Sequence, residues 1–391
     1  MRLFPNSKMN ERFPFLYATA KMHKTPINFR YITSGRECLF SKLSIAVSKC
    51  LKLLVKTARK SFGYRIKEID NCIFIIDNRD RVIKFLDASN SQKGNNKSIS
   101  TWDFSTLYTK IPHNKLKDKM ASFINRIFTE VAKSKKGKKY VCFSEKCQGA
   151  YFTKSRSKDN FCWSSEELID SINAIVDNSY ICFHDEIYRQ VIGIPMGTNC
   201  APYLANIFLH VYEYDYLTNL VNNGEVEVAK NLAKTLRYQD DCISLNDDNV
   251  FGEHFLLIYP PEMYLENTNI SKAVCTFLDL RISVFRGKFL YMSWDKRDSF
   301  EFKICNYPNL HGNVPWKGSY GVYISQLVRY CDINLNVKSF IHDVKTMTRK
   351  FLQQGFIHKF LVHTYLKFCR TYLYRWSKFG VDLFGLANCI F

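Results

Sequence analysis

The sequence predicts a mixed α+β chain built around an antiparallel sheet, and three observations carry that expectation. Residues 15–33 and the stretch LRYQDDCISL at 236–245 read as two β-hairpins lying far apart in the chain. Between and after them, long segments carry the 3.6-residue apolar spacing of amphipathic helices. No unit of 20–50 residues repeats, which argues against solenoids and propellers.

The elements follow in order. At 391 residues the chain exceeds what one hydrophobic core usually holds, so two or three subdomains around a shared cleft are expected. Residues 15–33 alternate basic and apolar groups around Pro26, as a hairpin with cationic faces would. Apolar spacing predicts helices over 39–62 and 69–88. SISTWDFSTLYTKIPH (98–113) begins as a strand and breaks at Pro112, after which NKLKDKMASFINRIF (114–128) is amphipathic and helical. A mixed, inserted region runs to about 190. GIPMGTNCAPYLANIFLHVYEYDYL (193–217) opens with Gly and Pro and continues as a helix through Leu204, Ile207, Phe208 and Val211. Beyond the acid-tipped hairpin, TFLDLRISVFRGKFLYMSWDK (276–296) reads as strands turning at Arg286–Gly287, and 320–377 as basic amphipathic helix.

With 46% hydrophobic and 15% aromatic residues the chain can bury a large core, and 31 Phe and 23 Tyr leave rings for stacking. The formal charge is +20, carried in runs such as KSKKGKKY (133–140) and KSRSKD (154–159) and along the whole chain. Such a field adds nothing to a fold but attracts polyanions, so nucleic acid is the first candidate partner. An anionic membrane is the second candidate, but no 18-residue apolar run or amphipathic basic membrane helix is apparent, so no membrane partner is expected. The 14 cysteines are scattered singly, and the close pair Cys142 and Cys147 has no partner at zinc spacing, so reduced, mostly buried thiols are expected. The opening MRLFPNSKMN is too polar for a signal peptide, which points to an intracellular site, nucleus or cytoplasm, rather than secretion.

The chemistry centres on Asp240 and Asp241. Adjacent carboxylates repel one another and form strands poorly. A surface turn accommodates them, as it would the pair Asp247–Asp248. The apolar flanks Leu236, Tyr238, Ile243 and Leu245 favour instead a hairpin that aims both acids outward, where a cation would suit them. Phosphoryl transfer through two metals needs carboxylates from at least two strands, with the cations ~3.5–4 Å apart. Asp103, at the end of the apolar strand 98–104, is the natural third acid; a turn cap before Ser105–Thr106 is its other reading.

Taken in order, TWDFSTLY with Asp103, GIPMGTNCAPYLANIF with Gly193 and Gly197, and YQDD with Asp240 and Asp241 resemble motifs A, B and C of the reverse transcriptases. KMHKTPINFRYI, the GTNCAP form of motif B and TFLDLRI look closest to the Penelope-like and related animal retroelement members. The resemblance spans nearly the whole chain. It implies a right-hand polymerase, α+β, with an antiparallel palm sheet packed on helices. Fingers would occupy 1–97, a palm 98–290 with an inserted fingers or connecting region at 114–190, and a thumb-like helical region 291–391. The implied activity is RNA-directed DNA synthesis, extending a DNA primer on an RNA template with dNTPs. Two Mg²⁺ ions, or Mn²⁺ as a substitute, would be the cofactors. The chain starts close to the fingers hairpin, so a fragment of a mobile element's product is expected.

The resemblance also implies roles. Asp103 and Asp240 would hold both metals, with Asp241 a less direct ligand. Tyr108 would exclude a ribose 2′-hydroxyl, ordinary aromatic packing being the alternative. Gly197 would let nucleotide and template approach the backbone, or serve only its turn. Arg30, with Lys21 behind it, would clamp the triphosphate, although Lys21 also reads as a solvated charge. Tyr238 of the YQDD string joins the substrate-binding set. Lys338, Lys345, Arg349, Lys350, Lys359 and Lys367 would track template–primer phosphates. Met196 stands where motif B usually has Gln, and Ala20 where relatives favour Pro. Two other readings remain: an RNA-dependent RNA polymerase, against which Tyr108 argues, and a catalytically silent nucleic-acid-binding derivative.

Overall fold

The computed structural model describes residues 13–22, 26–35, 38–60, 66, 68–91, 98–134, 137–144, 149–156, 160–246, 249–300, 302, 304 and 307–391. The pair Asp247–Asp248 and Cys147 lie outside them. In chain order the first elements are β1 (Phe15–Lys21), β2 (Asn28–Ser34), α1 (Ser41–Ala58), α2 (Arg79–Ser91), β3 (Ile99–Phe104), α3 (Leu107–Lys110) and α4 (His113–Ser134). Next come β4 (Tyr140–Phe143), β5 (Ala150–Thr153), β6 (Phe161–Trp163), α5 (Ser165–Asp177), β7 (Tyr180–Phe183), β8 (Glu186–Arg189), α6 (Ala201–Asn222) and α7 (Val226–Leu232). The hairpin strands β9 (Thr235–Tyr238) and β10 (Asp241–Leu245) precede α8 (Val250–Ile258), β11 (Leu265–Asn267), β12 (Val274–Phe277), β13 (Leu280–Phe285) and β14 (Lys288–Ser293). The chain ends in α9 (Trp316–Ile333), α10 (Val337–Gln353), α11 (His358–Thr371), α12 (Leu373–Trp376) and α13 (Ala387–Ile390). The α+β expectation holds, with several small sheets in place of one central sheet.

The chain divides into two compact units, Met1–Ile76 with Trp102–Asn267, and Asp77–Thr101 with Thr268–Phe391. In the first, strands run in the orders β2-β1-β7-β8, β11-β3-β10-β9 and β5-β4-β6. The hairpin expected over 15–33 forms, with Thr19 opposite Arg30 and Lys21 opposite Asn28. Helices pack by the stripes the sequence gives them: Leu43, Val47, Cys50, Leu51 and Leu54 on α1, and Leu116, Met120, Phe123, Ile127 and Val131 on α4, are all buried. A capping box, Ser164 with Glu167, starts α5. The central helix α6 is largely buried, polar Asn206, His210 and Glu213 included.

Two expectations fail in this unit. The helix predicted over 69–88 begins only at Arg79. Before it, Cys72–Ile76 is a continuous buried apolar run, rich in β-branched residues that favour an extended chain, and it lies along β9. There Arg237 N–H donates to the Phe74 carbonyl at 2.7 Å, and Ile76 N–H to the Arg237 carbonyl at 2.8 Å. The thiols are also not all free. Cys142 on β4 stands directly opposite Cys162 on β6, and the two form a disulfide.

The second unit pairs the antiparallel meander β12-β13-β14 with helices. Its turn falls at Arg286–Gly287 as expected, both with positive φ (48° and 70°), which suits the right-handed twist of a tight hairpin. On α2, the Asn90 side-chain amide accepts from Phe289 N–H at 2.8 Å and donates to the Phe289 carbonyl at 2.9 Å. The Asp279 carboxylate accepts from Arg79 and Arg329. Three main helices, α9 to α11, fill the stretch expected as basic helix. Tyr323, Leu327, Phe340, Val344, Phe351, Leu361 and Phe368 form their core, while Lys338, Arg349, Lys359 and Lys367 are exposed. Among the described residues, no helix is long and apolar enough to cross a membrane.

Candidate active site

The acid-tipped hairpin has the register Asp241 opposite Tyr238 and Ile243 opposite Leu236, closed by a two-residue turn of Gln239 and Asp240. Gln239 takes a left-handed φ of 57°. Leu236, Cys242, Ile243 and Leu245 are buried, so the arms anchor the turn in the core. Strand β3 lies beside β10, and Phe104 N–H donates to the Asp240 carbonyl at 3.0 Å. That bond ties the residue after Asp103 to the main chain of Asp240 in the turn. Within β3, Asp103 is the one residue that is not fully buried. On the far side of β3, Glu266 of β11 stands directly opposite Asp103.

Beneath the turn lies a buried polar network. Arg237 donates through Nε to Glu213 Oε1 (2.6 Å), through Nη1 to Asn206 Oδ1 (2.7 Å) and the Gln239 carbonyl (3.2 Å), and through Nη2 to the Asn206 carbonyl (3.0 Å). The Tyr259 hydroxyl donates to Glu213 Oε1 at 2.8 Å. Burial alone would raise the Glu213 pKa, but the Arg237 charge and its hydrogen bonds, with the His210 ring nearby, outweigh it and hold the carboxyl at about 2. Burial works against the charge of Arg237 too, and Glu213 more than compensates, raising its pKa. Local sequence patterns do not disclose this ion pair under the acid turn, because Arg237 alternates with Leu236 and Tyr238 and so reads as a solvent-facing strand position.

A cleft of about 450 Å³ opens in the same unit. It is lined by Asp240, by Phe104 to Thr109, by Lys21 and Arg30 of the β1–β2 hairpin, and by Ile194 to Met196. Lys21, Arg30, Tyr108 and Asp240 thus meet around one space. The Tyr108 hydroxyl donates to Gln239 Oε1 at 2.6 Å. Burial, and then the Asp240 charge, push its pKa up, so the phenol stays protonated. The main chain of Tyr108 is fixed as well: Ile194 N–H donates to its carbonyl at 2.7 Å. Gly193, at φ 83°, has no Cβ because one would stand 2.6 Å from that same oxygen.

Gly197 is placed differently. At φ 124° it packs against β2, where a Cβ would fall inside the Thr33 carbonyl oxygen, while Thr33 N–H donates to the Met196 carbonyl at 2.6 Å. Contact between two parts of the protein's own backbone accounts for this glycine. It lines a separate apolar pocket with Phe13, Leu39, Phe40 and Tyr180. Tyr238 is half-buried beside Asp241. Asp241 opens β10 and is half-buried.

Among the described residues, no three or more His, Cys, Asp or Glu side chains are gathered to hold a metal ion by themselves. Asp103 on β3 and Asp240 in the neighbouring turn are both hard oxygen donors. That donor set suits Mg²⁺, which is commonly held by one or two carboxylates together with substrate phosphates rather than by a complete protein cage.

The fold has solved counterparts. Telomerase from Candida albicans, in complex with a TWJ fragment of telomeric RNA, superposes with a TM-score of 0.58 at 12% identity, covering 99% of this chain and 64% of that one. Apo telomerase from Candida tropicalis gives 0.50 at 13% identity, covering 99% of this chain and 67% of that one. At such identity the likeness is one of fold, and this chain spans about two thirds of the length of those telomerases. No family model matches the chain, and no curated protein sequence matches it.

Proposed function

We propose that the chain is a reverse transcriptase, an RNA-directed DNA polymerase that extends a primer 3′-hydroxyl with dNTPs on an RNA template. The observation that carries this reading is the cleft lined together by Asp240, Arg30, Lys21 and Tyr108, against which the Phe104 N–H to Asp240 carbonyl bond sets the strand that carries Asp103. Telomerase, whose fold the chain shares, is itself an RNA-directed DNA polymerase. Fingers, palm and thumb would follow from that shared fold. The strings KMHKTPINFRYI, GTNCAP and TFLDLRI support a Penelope-like retroelement as the source.

Asp103 and Asp240 would hold two Mg²⁺ ions, with Asp241 supporting them; bound there, the ions would acidify the primer hydroxyl and neutralise triphosphate charge. Arg30 and Lys21 would bind the triphosphate oxygens, the guanidinium in bidentate fashion. Tyr108 would stand where the nucleotide sugar enters. Purified chain, given Mg²⁺, an RNA template and a DNA primer, should extend the primer. Asp103→Asn and Asp240→Asn should each abolish extension while leaving duplex binding nearly intact, and undiminished extension in either variant refutes the assignment.

The exposed cations Lys338, Arg349, Lys359 and Lys367 on the last helices would serve equally a second reading, a nucleic-acid-binding protein without catalysis. Salt-sensitive binding to RNA–DNA duplex with no extension in either Mg²⁺ or Mn²⁺ would select it.

A further inference from the structure

We infer that Gln239 is a positioning residue for sugar selectivity: its side chain holds the Tyr108 ring in the cleft, so that a deoxyribonucleotide is admitted and a ribonucleotide refused. The inference rests on the polymerase reading above. It starts from the bond of 2.6 Å between the Tyr108 hydroxyl and Gln239 Oε1, which links the tip of a cleft-lining ring to the residue immediately before Asp240.

A ring tied to a mobile partner would gain little, but Gln239 is fixed. It sits at a left-handed φ of 57° in a two-residue turn, and its carbonyl accepts from Arg237 Nη1. Arg237 is fully buried and locked in turn to Glu213 and Asn206 of α6. A continuous chain of hydrogen bonds and backbone therefore runs from the central helix through Arg237 and Gln239 to the phenol. At the other end the Tyr108 carbonyl is held by Ile194 N–H, against a glycine that permits the approach. The ring is secured at backbone and tip. To yield to a 2′-hydroxyl it must break the bond to Gln239, and the same side chain that completes the acid turn thereby governs which sugar fits.

The test uses the full chain in primer extension, comparing kcat/KM for a dNTP and the matching rNTP. Gln239→Leu keeps comparable bulk but cannot accept the hydrogen bond, and Tyr108→Phe keeps the ring but cannot donate it. Each should raise the rNTP-to-dNTP ratio roughly three- to tenfold, the range a single hydrogen bond commands. The double variant should rise no further than either single one. An unchanged ratio in Gln239→Leu, or full additivity, overturns the inference.

A urea-unfolding cycle on the same three variants needs no activity. Coupling of at least about twofold in the folded-to-unfolded ratio supports the tie, and strict additivity overturns it. If the wild-type chain fails to extend a primer, the polymerase reading falls and the selectivity role with it, while the unfolding cycle still reports whether Gln239 holds Tyr108.

Discussion

Arg237 Nε donates to Glu213 Oε1 at 2.6 Å, and neither side chain has any surface open to solvent. Both charges had to leave water, and the cost of that step is recovered only because Asn206, Tyr259 and the Gln239 carbonyl satisfy the remaining donors and acceptors. The pair joins α6, which carries Glu213, to the strand that ends in the acid turn.

Breaking the pair from one side strands a buried charge. Arg237→Met should destabilise the protein by about 3–5 kcal/mol in urea denaturation, as should Glu213→Leu. The double variant should cost clearly less than the sum, because neither charge is then left alone. Additive losses would show that the two side chains do not act together.

The same pair sets a pH dependence. Glu213 titrates at about 2 in the folded protein against an ordinary value of 4.5. A depressed folded value means the stabilisation is fully present above about pH 4.5 and is lost as the pH falls toward 2, for a total on the order of 3 kcal/mol. Glu213→Gln should be less stable at neutral pH and show a flatter decline over that acid range. An equal slope in wild type and variant would remove Glu213 from the account.

Two glycines separate packing from backbone conformation. Gly224 has φ 85° with nothing near the position of a Cβ, so Gly224→Ala should cost only about 1–2 kcal/mol, the penalty of a left-handed residue. Gly197→Ala would drive a methyl into the Thr33 carbonyl oxygen, backbone against backbone, and should cost more than about 4 kcal/mol or prevent folding. Thermal unfolding of both variants decides; similar losses would mean that the β2 contact is slack.

Exposed cations on the last helices should meet nucleic acid phosphate. Replacing Lys338, Arg349, Lys359 and Lys367 together by Gln should weaken RNA–DNA duplex binding and flatten its dependence on salt, by about 0.9 in slope for each phosphate no longer neutralised. Fluorescence anisotropy across a salt series measures this directly. A slope equal to wild type would assign those charges to solubility alone.

What the sequence disclosed and what it withheld divide along physical lines. The acid hairpin was legible because Leu236, Ile243 and Leu245 alternate with polar neighbours over a few residues, so local periodicity carried the message. The β1–β2 hairpin and α4 were legible for the same reason. The buried ion pair was not, because its two halves lie 24 positions apart and each looks ordinary in its own segment: Glu213 sits in a helix read as apolar, Arg237 in a strand. Residues 69–76 misled in the opposite way. A run buried on both faces has no period of two, and helix and buried strand then look alike until the partner strand is known. The Cys142–Cys162 bond escaped for want of any short spacing; it arises from strand pairing alone.

The Asn90 amide facing Phe289 has one further consequence. Strand β14 is the last in its sheet, and a bare strand edge is a template on which another chain can add and begin a fibril. By offering one donor and one acceptor to the main chain of Phe289, a single side chain on α2 occupies that docking position from within the molecule. Asn90→Ala would leave the strand's hydrogen-bonding groups open to strangers, and the loss would be read in turbidity after prolonged warming rather than in any assay of polymerisation.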